Sequence, residues 1–201
     1  MRFSISTAFQ PVDHLSVLAR AADELGYHSM AVPDHVVDLE ELATPYPYTS
    51  DGSRRWSYDA AWPDPWVLVG SLAAVTTRLR FLTSIYVPAI RSPFQVAKSV
   101  GTAAVLSGNR VALGVGVGWC REEFELLGQD FSTRGRRTDE ALALMAELWK
   151  PGWTEFDGEF YSAPRLVMEP TPSEPIPILV GGLSEVAFRR VDARHDVVAG
   201  V

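Results

Sequence analysis

At 201 residues, with 47% hydrophobic and 21% charged residues, the chain has the material for one ordinary globular domain covering residues 1–201. A formal net charge of −7 sets it against polyanions, because a nucleic-acid surface needs clustered Lys and Arg to displace counterions, so no nucleic-acid partner is expected. The lone Cys120 excludes an intrachain disulfide framework and a multi-cysteine zinc site; with no apolar run long enough for a signal peptide or a bilayer span, the expected setting is the cytoplasm, without membrane or metal.

Residues 2–7 read as a short buried strand, and 11–25 follow with Leu15, Leu18, Ala19, Ala22 and Leu25 spaced along one helix face before Gly26 ends it. A second strand at 27–32 closes at Pro33. The long irregular stretch 34–63 carries Tyr46, Tyr48, Trp56, Tyr58 and Trp62, and a loop of that length is usually functional or mobile. A helix at 65–77 leads into a strand at 79–87; Pro93 opens the next helix, 94–106, which Gly108-Asn109 breaks before a fourth strand at 110–117. A further helix at 133–149 carries Leu142, Met145, Leu148 and Trp149 on its apolar face. The segment 153–161, centred on Asp157-Gly158, has the turn signal of a β-hairpin inserted between units. Residues 165–168, a Pro-rich connector, a buried strand at 176–180, Gly181-Gly182 and a helix from Ser184 to about Val191 complete the pattern. Continuously apolar strands that alternate with helices imply a parallel sheet, either doubly wound or a (β/α) barrel, and periodicity alone does not choose between them.

Three features suggest chemistry. Val32-Pro33-Asp34-His35 places an acid and an imidazole just past the carboxyl end of the second strand, where a parallel barrel keeps its active site. His35 there can exchange a proton with a substrate alcohol; the competing reading has Asp34 capping a helical turn and His35 as a surface residue. His14, His28 and His195 lack such placement and read as structural or exposed. Second, Leu113-Gly114-Val115-Gly116-Val117-Gly118-Trp119 alternates glycine with apolar residues at the end of the fourth strand. Missing side chains there admit a flat ligand or simply let the strand bend and its neighbours pack; because the glycines lie within the strand, a dinucleotide-binding turn is disfavoured. Third, Val180-Gly181-Gly182-Leu183-Ser184 joins a buried strand to a helix start, either a phosphate cradle or an ordinary turn with a Ser N-cap. All three fall on the carboxyl rim of parallel strands, and that coincidence carries the argument.

These segments, together with Arg91-Ser92-Pro93, Leu106-Ser107-Gly108-Asn109-Arg110, Glu122-Glu123-Phe124 and Arg134-Gly135-Arg136-Arg137-Thr138-Asp139-Glu140, carry a likeness that runs nearly end to end. The chain resembles the luciferase-like monooxygenase superfamily, particularly its branch using the deazaflavin coenzyme F-420. The resemblance implies an α/β fold, a (β/α)8 TIM-type barrel with the cofactor at its carboxyl rim and a non-proline cis peptide at the end of the third strand, here at Thr83-Ser84-Ile85. It places Asp34 and His35 at the reactive edge of the ring, Gly116, Val117 and Gly118 along its flank, and Gly181 and Gly182 at its phosphate. The implied reaction is hydride transfer between a small-molecule substrate and the ring, with His35 as general acid or base, the aromatic loop as substrate wall or lid, and FMN as the alternative cofactor. Arg134, Arg136 and Arg137 are phosphate-binding in type, but a helix-start face salt-bridged to Asp139 and Glu140 accounts for them equally, and they are left outside the site.

A complete barrel of this kind needs about 250 residues. Six strands are readable here and 196–201 resembles the start of a seventh, so the barrel is read as C-terminally shortened, its open edge covered in a homodimer or higher homo-oligomer. A non-catalytic flavin-binding protein and an FMN-dependent monooxygenase stand as alternative functions.

Overall fold

Strand β1 (Ser4–Ser6) is followed by a single 3-10 turn and helix α1 (Leu15–Glu24), the first unit of a computed structural model that describes residues 1–182 and 184–192. Leu15, Ala19 and Ala22 of α1 are buried as their spacing predicts, whereas Leu25, expected on the same face, is 77% exposed because the helix has ended at Glu24. Strand β2 (Ser29–Val32) opens the long loop, which ends where Asp64 caps helix α2 (Pro65–Ala73), accepting from the Trp66 and Val67 amides at 3.0 Å each. Strand β3 (Arg80–Thr83), helix α3 (Pro93–Ser107) and strand β4 (Val111–Val115) follow, with Gly108 and Asn109 both left-handed at the end of α3. After β4 come helix α4 (Arg121–Leu126), not anticipated as a separate element, and α5 (Arg134–Leu148). Strands β5 (Thr154–Asp157) and β6 (Ser162–Leu166), then β7 (Ile178–Val180) and α6 (Glu185–Asp192), end the described chain.

Strands β1, β2, β3, β4 and β7 form one parallel sheet in chain order, without reversal. A doubly wound sheet reverses its order at a switch point, so sequential order decides for the barrel type. Strands β5 and β6 stand apart as an antiparallel pair, with Thr154 opposite Leu166. Of residues 165–168, counted as a run of their own, Arg165 and Leu166 therefore belong to the second arm of the hairpin and 167–168 to no strand, and the parallel strands number five among the described residues. The expected seventh strand at 196–201, Leu183 and His195 lie outside those residues.

The strand period of two sorts the sheet into two faces. Met30, Val32, Phe81, Thr83, Val111, Leu113, Val115 and Val180 are buried on the helix-covered face, and all but Thr83 join one apolar cluster with Leu15, Val69, Leu72, Val96, Leu142 and Met145. Ala31, Leu82, Ala112 and Leu179 point the other way and are half-buried. The third strand was expected to run to Val87 but ends at Thr83. Its chain leaves the ladder over Ser84 and Ile85, joined by a cis peptide where the resemblance implies one, and rejoins at Tyr86, whose amide donates to Gly114 O at 2.7 Å.

Candidate active site

The carboxyl end of β2 delivers Asp34 inward. Its side chain is 0% exposed, and its two oxygens accept from Arg91 Nη1 and Nη2 at 2.7 Å each, with the Val87 amide donating to Oδ2 at 3.0 Å. No helical turn follows Asp34, so it caps none. Burial raises its pKa against the opposing pull of Arg91 and the Val87 amide. The Arg91 guanidinium in turn lies 4.4 Å over the ring of buried Tyr86. Asp34, Arg91 and Tyr86 thus form a brace tying the rim of β2 to the connection between β3 and α3.

His35, the next residue, turns to a different partner. Its Nδ1 lies 3.4 Å from Glu123 Oε2, with side-chain exposures of 17% and 6%. Glu123 Oε1 accepts from the amides of Val36 at 2.6 Å and Val37 at 3.4 Å. Burial pushes the Glu123 carboxyl up, but His35 and these amides outweigh it and hold the pKa below its ordinary value. Its neighbour Glu122 accepts from the Ala43 and Thr44 amides at 2.8 Å each and is held at about 2 despite its own desolvation. Helix α4 is short, but Phe124, 1% exposed, seats it among Val87, Ala89 and Ile90, so its two acids clamp the loop that leaves β2.

Around His35 the loop closes an aromatic box. Trp62 and Trp56 lie 4.9 and 5.4 Å from the imidazole, centroid to centroid, and Trp119, from the end of the glycine run, lies 6.1 Å away. Tyr46 bridges Trp56 and Trp119 at 5.1 and 5.2 Å. Tyr58 of the same loop is 84% exposed and takes no part.

Trp119 also walls a cleft of about 480 Å³, which brings together Ile85, Gly116, Val117, Gly118, Gly181 and Gly182. Thr83 and Ser84 do not line it; the Thr83 hydroxyl is buried and donates to Gly114 O at 2.7 Å. The glycines make room for the protein itself before any ligand: a Cβ on Gly116 would fall 1.8 Å from Ile85 Cδ1, and one on Gly181 2.8 Å from Ile85 Cγ2. Ile85 is therefore wedged between the ends of β4 and β7 as a shelf in the cleft. Ser184 caps α6 by accepting from the Ala187 amide at 3.2 Å. Cys120 is buried, which pushes its thiol up to about 11, and it does not line the cleft.

Arg134 and Arg136, left outside the site on sequence grounds, line the far end of the cleft with Arg190. Arg134 stacks on Phe131 at 3.7 Å and donates to Gly118 O at 3.2 Å; Arg136 pairs with Glu159 at 2.5 Å, and Arg190 with Asp139. Glu140 does not pair with its arginine neighbours but accepts from the amides of Glu159, Phe160 and Tyr161 at the hairpin turn. Sequence reasoning assigned no role to Arg91, Glu123 or Trp119. The only signal for them was their place in segments carrying the family resemblance.

A model of the luciferase-like monooxygenase family matches residues 1–199. An uncharacterized protein of Mycobacterium tuberculosis is 44% identical over 196 residues, 98% of this chain and 68% of that one. A protein of Gordonia bronchialis named F420-dependent glucose-6-phosphate dehydrogenase is 30% identical over 177 residues, 86% of this chain and 48% of that one. Among solved structures, the oxygenating constituent of 3,6-diketocamphane monooxygenase from a Pseudomonas putida plasmid, in complex with FMN, superposes with a TM-score of 0.74 at 18% identity, covering 99% of this chain and 57% of that one; this shows likeness of fold. The chain thus spans about half the length of the solved structures it matches. Sequential parallel strands, a rim cleft and a match along nearly the whole sequence place the chain in the luciferase-like monooxygenase family.

Proposed function

We propose that the protein is a flavin- or deazaflavin-dependent oxidoreductase that moves a hydride between a small organic substrate and the cofactor ring, with coenzyme F-420 the first candidate and FMN the alternative. The carrying observation is the juxtaposition, around Trp119, of a glycine-floored cleft and a histidine paired with a buried carboxylate. The cleft fits such a group: its volume lies in the range of small-molecule sites, Ile85 and residues 116–118 contribute an apolar wall, and Arg134 and Arg136 on the same lining would supply positive charge for a phosphate-bearing tail. When bound, the ring supplies the hydride donor or acceptor.

The chain's own residues handle the proton and the geometry. Glu123 facing Nδ1 favours a proton there and leaves Nε2 to take a proton from a substrate hydroxyl or return one to a carbonyl oxygen. As the imidazole gains charge, the nearby carboxylate stabilises it. Trp56 and Trp62 pack against the imidazole and limit its exposure to 17%, and the Asp34–Arg91 brace holds the rim from which His35 projects, so Asp34 is assigned a positioning role beside catalytic His35. The relative of Gordonia bronchialis, by its name, supports F-420 over FMN.

Titrating the protein separately into coenzyme F-420 and FMN and following fluorescence quenching is expected to give a micromolar-range Kd for one of them. Binding of neither overturns the reading. A cytoplasmic setting and a homodimer or higher homo-oligomer belong to the same proposal. In support, no helix among the described residues is long and apolar enough to cross a membrane, and Ala31, Leu82, Ala112 and Leu179 leave one sheet face half-covered.

A further inference from the structure

The three guanidinium groups at the far end of the cleft differ in how firmly they are occupied. Arg190 is 6% exposed and reaches both oxygens of Asp139, one of them at 3.0 Å, with a further bond to Gly135 O at 3.4 Å. Arg134 stacks on Phe131 and donates to the backbone oxygens of Gly118 and Phe131, so its charge meets no carboxylate among the described residues. Arg136 makes a single hydrogen bond, from Nη1 to Glu159 Oε1 at 2.5 Å, with side-chain exposures of 63% and 60%. An exposed pair of this kind is weak, so an incoming anion can draw Arg136 away at little cost, whereas Arg190 stays with Asp139.

Glu159 does not line the cleft; it stands in the turn between β5 and β6. That turn is fixed to α5. Glu140 accepts from the amides of Glu159, Phe160 and Tyr161 at 3.0, 2.8 and 2.7 Å, and a Cβ on Gly158 would fall 2.1 Å from Glu140 Oε1, so the turn sits directly on that carboxylate. The Arg136 guanidinium also lies 5.0 Å from the centre of the Phe160 ring. An anion that takes Arg136 therefore leaves the Glu159 carboxylate close by, its backbone held in place, and binds against that charge.

We propose that Glu159 sets the affinity of the cleft for phosphate-bearing ligands by competing with them for Arg136, which makes it a specificity-determining residue acting through that arginine. Arg134 then meets the phosphate first, and Arg136 is a second cation whose availability the hairpin controls. The antiparallel pair, set apart from the parallel sheet, thereby delivers one negative charge to the edge of the cleft. This rests on the functional reading above, in which a phosphate-bearing cofactor occupies the cleft.

Glu159→Gln keeps the shape of the side chain and removes its charge. The test is titration at low ionic strength with two pairs of ligands: FMN and riboflavin, and coenzyme F-420 and its phosphate-free deazaflavin core. The variant is expected to bind the phosphate-bearing member of at least one pair about twofold to fivefold more tightly than the parent, the weight of one exposed ion pair, with the phosphate-free member unchanged. The gain is expected to shrink as salt is raised and to vanish in an Arg136→Gln background. A purely structural role for Glu159 would not tighten binding. The proposal is overturned if the variant binds the phosphate-bearing ligands no better than the parent, if the phosphate-free members gain equally, or if the gain survives Arg136→Gln. Any of these results with cofactor binding intact rejects the role of Glu159 alone. Binding of none of the four ligands rejects the functional reading, and inorganic phosphate, which needs no ring, then decides for Glu159. A larger phosphate-induced rise in melting temperature for Glu159→Gln than for the parent upholds the role; an equal rise, or none, overturns it.

Discussion

Adjacent in sequence, Asp34 and His35 do different work, because one points into the protein and the other along its rim. Asp34 spends both oxygens on Arg91. His35 keeps one nitrogen for Glu123 and has the other available. Replacing His35 by Ala is expected to lower substrate-dependent cofactor reduction by about 10²–10⁴-fold while leaving cofactor affinity nearly unchanged; unchanged turnover in stopped-flow assays would remove His35 from the mechanism. Glu123→Gln keeps an acceptor for the Val36 amide but removes the charge facing the imidazole, and kcat is expected to fall by on the order of tenfold with little change in cofactor Kd. The place of His35 was readable from an apolar run ending in Val32-Pro33. Its partner was not, since Glu123 reaches this loop across 87 positions and Arg91 reaches Asp34 across 57, and no local pattern encodes such pairings. The glycine run was readable as a place without side chains, but not that Ile85 fills part of the space.

Elements with a strong period or a sharp stop were the readable ones. Helices α1 and α5 follow their apolar spacing, and α3 opens at Pro93 and ends at Gly108 where expected. Helix α4, six residues long, has too few turns to show a period and is held by the burial of Phe124. The second arm of the hairpin was misjudged because pairing register, set by Thr154 opposite Leu166, is a tertiary fact. Asp23, near the end of α1, fastens the entry to β3, accepting from the amides of Thr77, Arg78 and Leu79 at 2.8, 2.8 and 2.5 Å. Burial pushes its carboxyl up, but these donors prevail and hold it at about 2, below the ordinary 3.8. A depressed carboxylate pKa adds stability that is fully present above the unfolded value and fades as pH falls through the folded one. Asp23→Ala is therefore expected to destabilise the fold by about 1–3 kcal/mol at neutral pH. In urea melts the gap to the parent should close between pH 4 and pH 2; a gap that stays constant would refute the assignment.

At the scale of the molecule, strand order carries more weight than any motif, since sequential neighbours without a switch point decide the architecture that alternation alone left open. The sheet face bearing Leu82 and Leu179 is only half-covered by this chain. Sedimentation velocity of the 201-residue chain is expected to give a dimer or larger species, and Leu82→Glu to shift it toward monomer; a monomeric parent would remove the proposed assembly. The long loop, for its part, is fixed at both ends. Glu122 and Glu123 hold residues 36–37 and 43–44, and the Asp64 cap holds its exit, so the stretch between is tethered at both ends while Trp56 and Trp62 rest on His35. Residues 45–63 are therefore where mutation or shortening reaches the surroundings of the imidazole directly, while the Asp34–Arg91 and His35–Glu123 pairs are built from residues outside that segment.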